Sequence, residues 1–114
     1  METIKRGQIR IVNFGPYIGS EQGGYRPALV IQNNLGNIYS TTTIVVPISS
    51  KKFKLLPTHI KLNKQHLKHK KVDGVLLMEQ IRVVDKKRIY QMVDEITDNL
   101  YSHIHTALCI ATGY

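Results

Sequence analysis

The sequence predicts a mainly β protein of the α+β class, in which short strands form a small, highly curved β-barrel and one C-terminal helix packs against it. Three observations support this fold class. The 114 residues suffice for one domain, residues 1–114, with its own core. Apolar and β-branched residues come in short runs separated by Gly, Pro and Asn, which is typical of strands and turns. Only the residues after 97 repeat their apolar positions at helical spacing.

Six segments are predicted as strands because they alternate apolar and polar residues or are almost wholly apolar or β-branched. They are residues 8–14, 27–32, 41–48, 58–62, 75–84 and 89–93. The second contains an unbroken apolar run, Ala28 to Ile31, which is typical of a strand buried on both faces.

The remaining segments predict loops, turns and one helix. A glycine-rich loop covers residues 15–25, a turn covers residues 33–37, and a basic loop covers residues 49–56. Residues 63–71 and 86–88 each predict a short helical turn. The C-terminal helix is expected to begin after Thr97 or Asp98 as N-cap and to end at Gly113. Its apolar face would comprise Leu100, Ile104, Ala107, Leu108 and Ala111.

Charge gives the first indication of a partner. Sixteen Lys and Arg residues against eight Asp and Glu residues give a net charge of +8. Residues 22–72 contain no acid, whereas their second half contains eight lysines: Lys51, Lys52, Lys54, Lys61, Lys64, Lys68, Lys70 and Lys71. A field of one sign attracts polyanions, so we expect a nucleic acid or another acidic partner.

Several other classes of protein are not expected. The first residues lack the apolar segment of a signal peptide, and no apolar run approaches the roughly 18 residues of a membrane span, so we expect a cytoplasmic protein without membrane contact. Cys109 has no second cysteine to pair with, which suits a reducing compartment and a small core residue near the end of the helix.

Histidines and glycines do not combine into a known cofactor site. His66 and His69 have a possible metal spacing, but no Cys or paired acid completes a set, so neither a metal nor another cofactor is expected. The glycines of residues 19–24 lack the Lys-Ser/Thr ending of a phosphate loop. His59 on a strand and His103 and His105 on the helix keep a two-histidine ribonuclease open, although no recognisable pair stands out.

Three stretches carry a resemblance to a known family. They are Arg6-Gly7-Gln8-Ile9, the run Gly-Ser-Glu-Gln-Gly-Gly-Tyr-Arg-Pro from Gly19 continuing to Asn33, and Leu-Pro-Thr-His at 56–59 with Met-Glu-Gln-Ile-Arg at 78–82. Together they resemble the MazF/PemK family of endoribonuclease toxins, and especially its Gram-positive branch, over nearly the whole chain. The resemblance implies an SH3-like barrel of the CcdB/MazF type and a homodimer. It also implies a toxin (an mRNA interferase) that cuts single-stranded RNA at short sequences and is neutralised by a cognate antitoxin.

The expected chemistry needs no metal. A 2′-hydroxyl attacks phosphorus, the 5′-oxygen leaves, and the products carry a 2′,3′-cyclic phosphate and a 5′-hydroxyl. The protein must neutralise the growing charge and move two protons. The resemblance makes Arg26 catalytic, and its guanidinium, stiffened by Pro27, suits phosphate. Ser49 is the second catalytic candidate; the family normally has Thr there, so this hydroxyl should be less preorganised, and Ser50 is a rival.

Six further residues are candidates for RNA binding: Tyr17, Ser20, Glu21, Gln22, Gln80 and Arg82. Tyr17 would stack on an unpaired base or cover the core. Glu21 would accept the 2′-proton or hold Arg26. Gln80 and Arg82, two residues apart on a predicted strand, share one face and would contact phosphate or base, or remain ordinary rim residues.

Two other readings stay open. A non-catalytic toxin on the same barrel, resembling the CcdB inhibitors of DNA gyrase, would act by protein contact. A degenerate family member would bind RNA or antitoxin without cutting. For the endoribonuclease, the RNA groove is expected at the subunit interface, lined by the loops of residues 15–25 and 49–56. The antitoxin is then expected to carry an acidic, partly disordered tail that complements the charge of +8 and blocks this groove.

Overall fold

The computed structural model describes residues 3–52 and 54–114. Within them the chain forms seven strands, two helices and four single 3₁₀ turns. The strands are β1 (Gln8–Asn13), β2 (Tyr25–Val30), β3 (Thr42–Ser49), β4 (His59–Lys61), β5 (Val75–Leu77), β6 (Arg82–Asp85) and β7 (Ile89–Glu95). The helices are α1 (Asn34–Tyr39) and α2 (Tyr101–Thr112), and the 3₁₀ turns are Lys64–His66, Met78–Gln80, Lys86–Arg88 and Asp98–Leu100.

All strands pair antiparallel in one sheet of order β4-β5-β3-β2-β1-β7, and β6 pairs with β3 beside β5. The predicted fold class is confirmed, but the sheet is open. Its two end strands, β4 and β7, are joined by the chain that follows β4, through an isolated bridge between Leu67 and Ile96. The backbone N–H of Lys68 also donates to the carbonyl of Glu95 at 2.8 Å.

The two faces of the central strands bury two apolar clusters. Leu29 and Val46 point into the cluster that α2 covers, whereas Ala28, Val30 and Val45 point into the second. The β2 strand is therefore buried on both faces, as its unbroken apolar run predicts. Residues of α2 and the turn before it close the first cluster: Leu100, Ile104 and Ala107.

Five predicted strands are confirmed, with ends that differ by two residues or fewer. The prediction of a turn at residues 33–37 is wrong, because α1 begins there. The Asn33 side chain accepts the backbone N–H of Gly36 at 2.8 Å and so acts as an N-cap. Asn37 is buried and accepts a hydrogen bond from the Thr43 hydroxyl at 2.7 Å, which docks α1 on β3. Asparagine suits both a turn and a cap, and here the tertiary contact selects the helix.

The prediction of one long strand over residues 75–84 is also wrong. Leu76 of β5 pairs with Ile48, and Arg82 of β6 pairs with Val45, but between them the chain leaves β3 as a 3₁₀ turn, Met78–Gln80. The carbonyl of Ile44 accepts the N–H groups of Ile31 and Gln32, so the backbone groups of Ile44 point toward the β2 side. Because backbone groups alternate sides along a strand, those of Pro47, three residues later, point toward β5 and β6. Proline has no N–H to offer that neighbour, which explains a break in pairing at this point.

The C-terminal helix is confirmed and is preceded by the 3₁₀ turn Asp98–Leu100. Thr97 is the cap of that turn, but its hydroxyl donates to the carbonyl of Gln65 at 2.9 Å rather than capping the helix. Gly113 has a φ of 80° and ends α2, as predicted. Cys109 is half-buried near the helix end. Neither helix of the described chain is long and apolar enough to cross a membrane.

Candidate active site

A cavity of about 560 Å³ lies over the break between β5 and β6. Pro47 of β3, where the strand loses its neighbour, forms part of its wall. The remaining lining residues come from two segments. The loop between β1 and β2 contributes Phe14, Pro16, Ser20, Glu21 and Gln22, and the 3₁₀ turn and the two residues after it contribute Glu79, Gln80, Ile81 and Arg82. The irregularity that the sequence pattern did not predict therefore creates the cavity.

Five of the eight predicted site residues line this cavity: Ser20, Glu21, Gln22, Gln80 and Arg82. They come from two segments that are remote in sequence and are joined directly. The backbone N–H of Gln22 donates to Oε1 of Gln80 at 2.9 Å, and Nε2 of Gln80 donates to the carbonyl of Ser20 at 3.2 Å. Both the oxygen and the nitrogen of the Gln80 amide therefore hold the loop between β1 and β2, residues 14–24, which we call the first loop.

The first loop also stabilises itself. The carboxylate Oε1 of Glu21 accepts the backbone N–H of Ile18 at 2.8 Å. At the base of the loop, the N–H of Gly24 donates to the carbonyl of Gly15 at 2.8 Å. A Cβ on Gly23 would lie 2.5 Å from Cδ1 of Tyr17, so only glycine permits the tyrosine to pack there. The Tyr17 residue remains 63% exposed and lies outside the cavity lining, beside the loop.

Arg26 is the second residue of β2 and is half-buried behind the loop. Its Nε donates to the carbonyl of Gly23 at 2.9 Å, and its Nη1 donates to Oε1 of Gln22. The residue that holds the guanidinium is thus Gln22 and not Glu21. Among the ion pairs of the described residues none involves Arg26, so its positive charge is not neutralised by a carboxylate.

Ser49 is the last residue of β3 and is only 1% exposed. Its Oγ accepts the backbone N–H of Lys51 at 3.2 Å, whereas Ser50 is exposed. The pairing of β2 with β3 runs from Val30–Val45 to Ala28–Pro47. Arg26 and Ser49 lie two residues beyond the last paired residues, Ala28 and Pro47, on these neighbouring strands. Neither residue lines the cavity itself, but Arg26 binds Gln22 of the lining, and Ser49 follows Pro47 of the lining by two residues.

Arg82, at the start of β6, holds a second guanidinium at the cavity. Its Cζ lies 5.2 Å from the centroid of the Phe14 ring, a distance at which a cation and an aromatic face attract. Its Nη1 is 3.5 Å from the Phe14 carbonyl. The side chain is exposed, and these contacts direct it along the cavity wall.

Two residues that were not predicted as site residues connect this cavity to Leu56, the last residue of the basic loop. Nδ1 of His59 accepts the backbone N–H of Leu56 at 3.0 Å, so the ring proton is on Nε2, which donates to Oε2 of Glu79 at 2.9 Å. The Thr58 hydroxyl donates to the other carboxylate oxygen at 3.0 Å. Burial raises the pKa of Glu79, but the hydrogen bonds from His59, its own backbone and Thr58 outweigh this, and the pKa is lowered. The family resemblance is the sequence signal that could have identified this pair, because His59 and Glu79 both lie in stretches that carry it.

The histidines considered as metal ligands are placed differently. His66 contacts His103, with ring centroids 6.0 Å apart, and not His69. Burial and the neighbouring His103 lower the pKa of His66, whose Nδ1 accepts the N–H of Asn63 at 3.1 Å. In residues 3–52 and 54–114, no cluster of three or more His, Cys, Asp or Glu side chains is arranged to hold a metal ion.

The open, curved antiparallel sheet with one covering helix is the fold of small MazF-like toxins. Residues 5–112 match the family described as PemK-like, MazF-like toxin of type II toxin-antitoxin system, so the chain belongs to this family. It is 39% identical over 109 residues to the endoribonuclease EndoA of Bacillus subtilis (strain 168), covering 95% of this chain and 93% of that protein.

Solved structures show the same fold. The MazF crystal structure from Deinococcus radiodurans (Form-I) superposes with a TM-score of 0.84 at 28% identity and complete coverage of both chains. A MazE-MazF structure from the same organism (Form-II) superposes with a TM-score of 0.78 at 27% identity, covering 99% of this chain and 98% of that chain.

Proposed function

We propose that this protein is a metal-independent endoribonuclease toxin that cuts single-stranded RNA at short sequences and thereby inhibits translation and growth. The observation that carries the proposal is the Arg26 guanidinium, which Gln22 and Gly23 orient beside the cavity and which forms no ion pair with a carboxylate of the described residues. The 39% identity to EndoA supports the same activity.

Arg26 would neutralise the charge that develops on the phosphoryl oxygens. A guanidinium has five N–H donors, and two of them bind Gly23 and Gln22. The other three donors bind no group of the described residues and remain for phosphate, on a side chain that two hydrogen bonds already orient. A donor that needs no reorganisation during the reaction stabilises the transition state more than a mobile one does.

Two carboxylates line the cavity, and their hydrogen bonds distinguish them as proton acceptors. Both oxygens of Glu79 accept hydrogen bonds, from Thr58 and His59. Glu21 uses only Oε1, for Ile18, and its Oε2 has no hydrogen-bond partner among the described residues. Glu21 is therefore the better candidate to accept the 2′-proton. Ser49 would assist by donating its hydroxyl hydrogen to a phosphoryl oxygen; because Ser49 is buried, the loop that follows must shift to admit the phosphate.

Binding of RNA would use the exposed groups around the cavity. Tyr17 would stack on an unpaired base, Ser20 and Gln22 would contact base or sugar edges, and Arg82 would contact phosphate. Gln80 differs from the others, because both groups of its amide are occupied by the first loop. Its role in the proposal is therefore to position that loop.

The proposed toxin also has an expected oligomeric state, an antitoxin partner and a cellular location. The protein would act as a cytoplasmic homodimer of the Gram-positive branch, and a cognate antitoxin with an acidic segment would block the RNA groove. Solved MazE-MazF structures of relatives support the antitoxin, and the identity to the Bacillus relative supports the branch. The charge of +8 complements both RNA and an acidic antitoxin.

Incubation of the purified protein with a long single-stranded RNA in EDTA tests the activity. Discrete fragments that end in 2′,3′-cyclic phosphate and 5′-hydroxyl groups are expected. Intact RNA with inhibition of DNA gyrase would instead support a CcdB-like toxin. Intact RNA that is nevertheless bound would support a degenerate member.

A further inference from the structure

His59 connects the basic loop, which the proposed function uses to bind RNA, with the cavity wall beside which cleavage would occur. On one side it holds the end of the basic loop through the N–H of Leu56. On the other side it holds the carboxylate of Glu79 in the cavity wall. Its side chain is only 5% exposed, whereas Leu56 and Glu79 are exposed, so a buried ring orients two groups at the surface.

The connection continues from Glu79 to the catalytic arginine. Glu79 and Gln80 belong to the same 3₁₀ turn. Gln80 accepts the backbone N–H of Gln22, and the side chain of Gln22 holds Arg26. One path of hydrogen bonds and a single turn therefore joins the basic loop to the guanidinium around the edge of the cavity.

We infer that His59 is a positioning residue for RNA cleavage, and this inference rests on the proposed function. Its Nδ1 fixes the loop that carries Lys51, Lys52 and Lys54, and so favours substrate binding. Its Nε2–H fixes Glu79 and the turn behind Gln80, and so favours the catalytic orientation of Arg26. His59 itself touches no reacting atom.

Two conservative variants separate the two contacts. The amide N–H of a glutamine can occupy the position of Nε2, so His59→Gln keeps a donor to Glu79 and loses the acceptor for Leu56. The shorter amide of an asparagine can place its oxygen at the position of Nδ1, so His59→Asn keeps the acceptor and loses the donor. His69→Gln is the matched control, because the His69 side chain is exposed and forms no hydrogen bond within residues 3–52 and 54–114, where its backbone N–H binds Asp94.

The two variants should change different kinetic constants on RNA. For His59→Gln we expect KM to rise about fivefold with kcat within about twofold, as for a loss of uniform binding. For His59→Asn we expect kcat to fall about tenfold with KM within about twofold. The control should match the wild type. A merely structural histidine would affect both variants alike, so equal effects, or none, would overturn the inference.

Amide hydrogen exchange separates failure of the inference from failure of the proposed function. A wild type that leaves RNA intact refutes the endoribonuclease, but the contacts can still be followed without substrate. His59→Gln should accelerate exchange at Leu56, and His59→Asn should leave Leu56 protected while accelerating exchange at Gln22. Unchanged protection at both amides in both variants would show that His59 positions neither loop.

Discussion

The backbone N–H of Gln22 donates to the side-chain Oε1 of Gln80 at 2.9 Å, across a sequence separation of 58 residues. This bond, with the return bond from Gln80 to Ser20, attaches the first loop to the 3₁₀ turn that interrupts the β5–β6 edge. Gln22 in turn orients Arg26. The shape of the cavity and the direction of the Arg26 side chain therefore depend on this 3₁₀ turn. The turn lies where Pro47, which has no N–H, cannot continue the pairing of β3 with its neighbour.

Replacing Gln80 by leucine should release the first loop while nearly preserving side-chain volume. Both hydrogen bonds are lost, so we expect kcat/KM on RNA to fall by about tenfold or more and exchange at the Gln22 amide to accelerate. Gln91→Leu, at an exposed position on β7, is the control and should leave both unchanged. Undiminished cleavage by Gln80→Leu would show that the loop does not need this attachment.

Ser49→Ala should reduce cleavage without abolishing it. The hydroxyl is a single neutral donor, so its loss is expected to cost about tenfold in kcat. Ser50→Ala removes the neighbouring, exposed hydroxyl and should leave kcat unchanged. Initial rates on one defined RNA distinguish the two serines, and a loss confined to Ser50→Ala would transfer the role to Ser50.

The basic loop should contribute to the salt dependence of RNA binding. Replacing Lys51, Lys52 and Lys54 by alanine removes three charges, and at about 0.7 per phosphate contact the slope of log K against log salt should fall by about 2. The test uses an RNA that carries a 2′-deoxy group at the cleavage site, so that it binds without being cut. A smaller change would mean that the loop does not follow the RNA backbone.

A second lysine segment provides the control for this measurement. Lys64, Lys70 and Lys71 are exposed, and the backbone N–H of Lys71 donates to Asp94, which pairs with Ile9 at the end of β1 away from the cavity. Replacing these three lysines removes the same charge and should change the slope by less than about 1. Equal slopes for the two triple variants would indicate that the net charge attracts RNA without a defined binding path along the basic loop.

Asp94 should be the main acid-sensitive residue of the fold. Its two oxygens accept the backbone N–H groups of His69, Lys71, Val72 and Glu95. Burial raises the pKa of Asp94, but these four bonds outweigh it, so the pKa is lowered. Because the unfolded chain binds the proton more tightly, the residue contributes stability above the ordinary carboxyl pKa. That contribution is lost as the pH falls through the lowered value.

Asp94→Asn is therefore expected to lower the free energy of unfolding by about 2–4 kcal/mol at pH 7 and to flatten its decline below about pH 4. Urea titrations from pH 7 to pH 3 measure both effects. Asp73→Asn, at an exposed ion pair with Lys61, is the control and should change stability by less than about 0.5 kcal/mol. An unchanged acid profile in Asp94→Asn would place the sensitivity elsewhere.

Much of the fold follows from local pattern. The apolar run of β2, the β-branched run of β3 and the helical spacing of α2 identify elements whose burial is set by their own residues. The helix α1 could not be predicted in this way, because the same asparagines suit a turn, and the contact of Asn37 with Thr43 decides between them. The β5–β6 break depends on Pro47, a residue on another strand, and so leaves no local signal.

The candidate site was predictable in membership and less so in roles. The structure places Arg26 at the predicted loop–strand junction, and five of the eight predicted residues line the cavity, whereas their roles in RNA cleavage stay predictions. The partner of Arg26 proved to be Gln22, and Gln80 proved to hold the loop, because both roles depend on contacts between remote segments. The His59–Glu79 pair was missed for the same reason.

The most direct test of the account is the cleavage rate of Arg26→Lys on single-stranded RNA in EDTA, with Arg6→Lys as the control. Lysine keeps the charge but lacks the planar set of donors, so we expect kcat to fall by a factor on the order of 10² to 10³ while the variant still folds and binds RNA. Arg6→Lys should cleave like the wild type. A folded Arg26→Lys protein that cleaves within about threefold of the wild type would contradict the claim that this guanidinium stabilises the transition state.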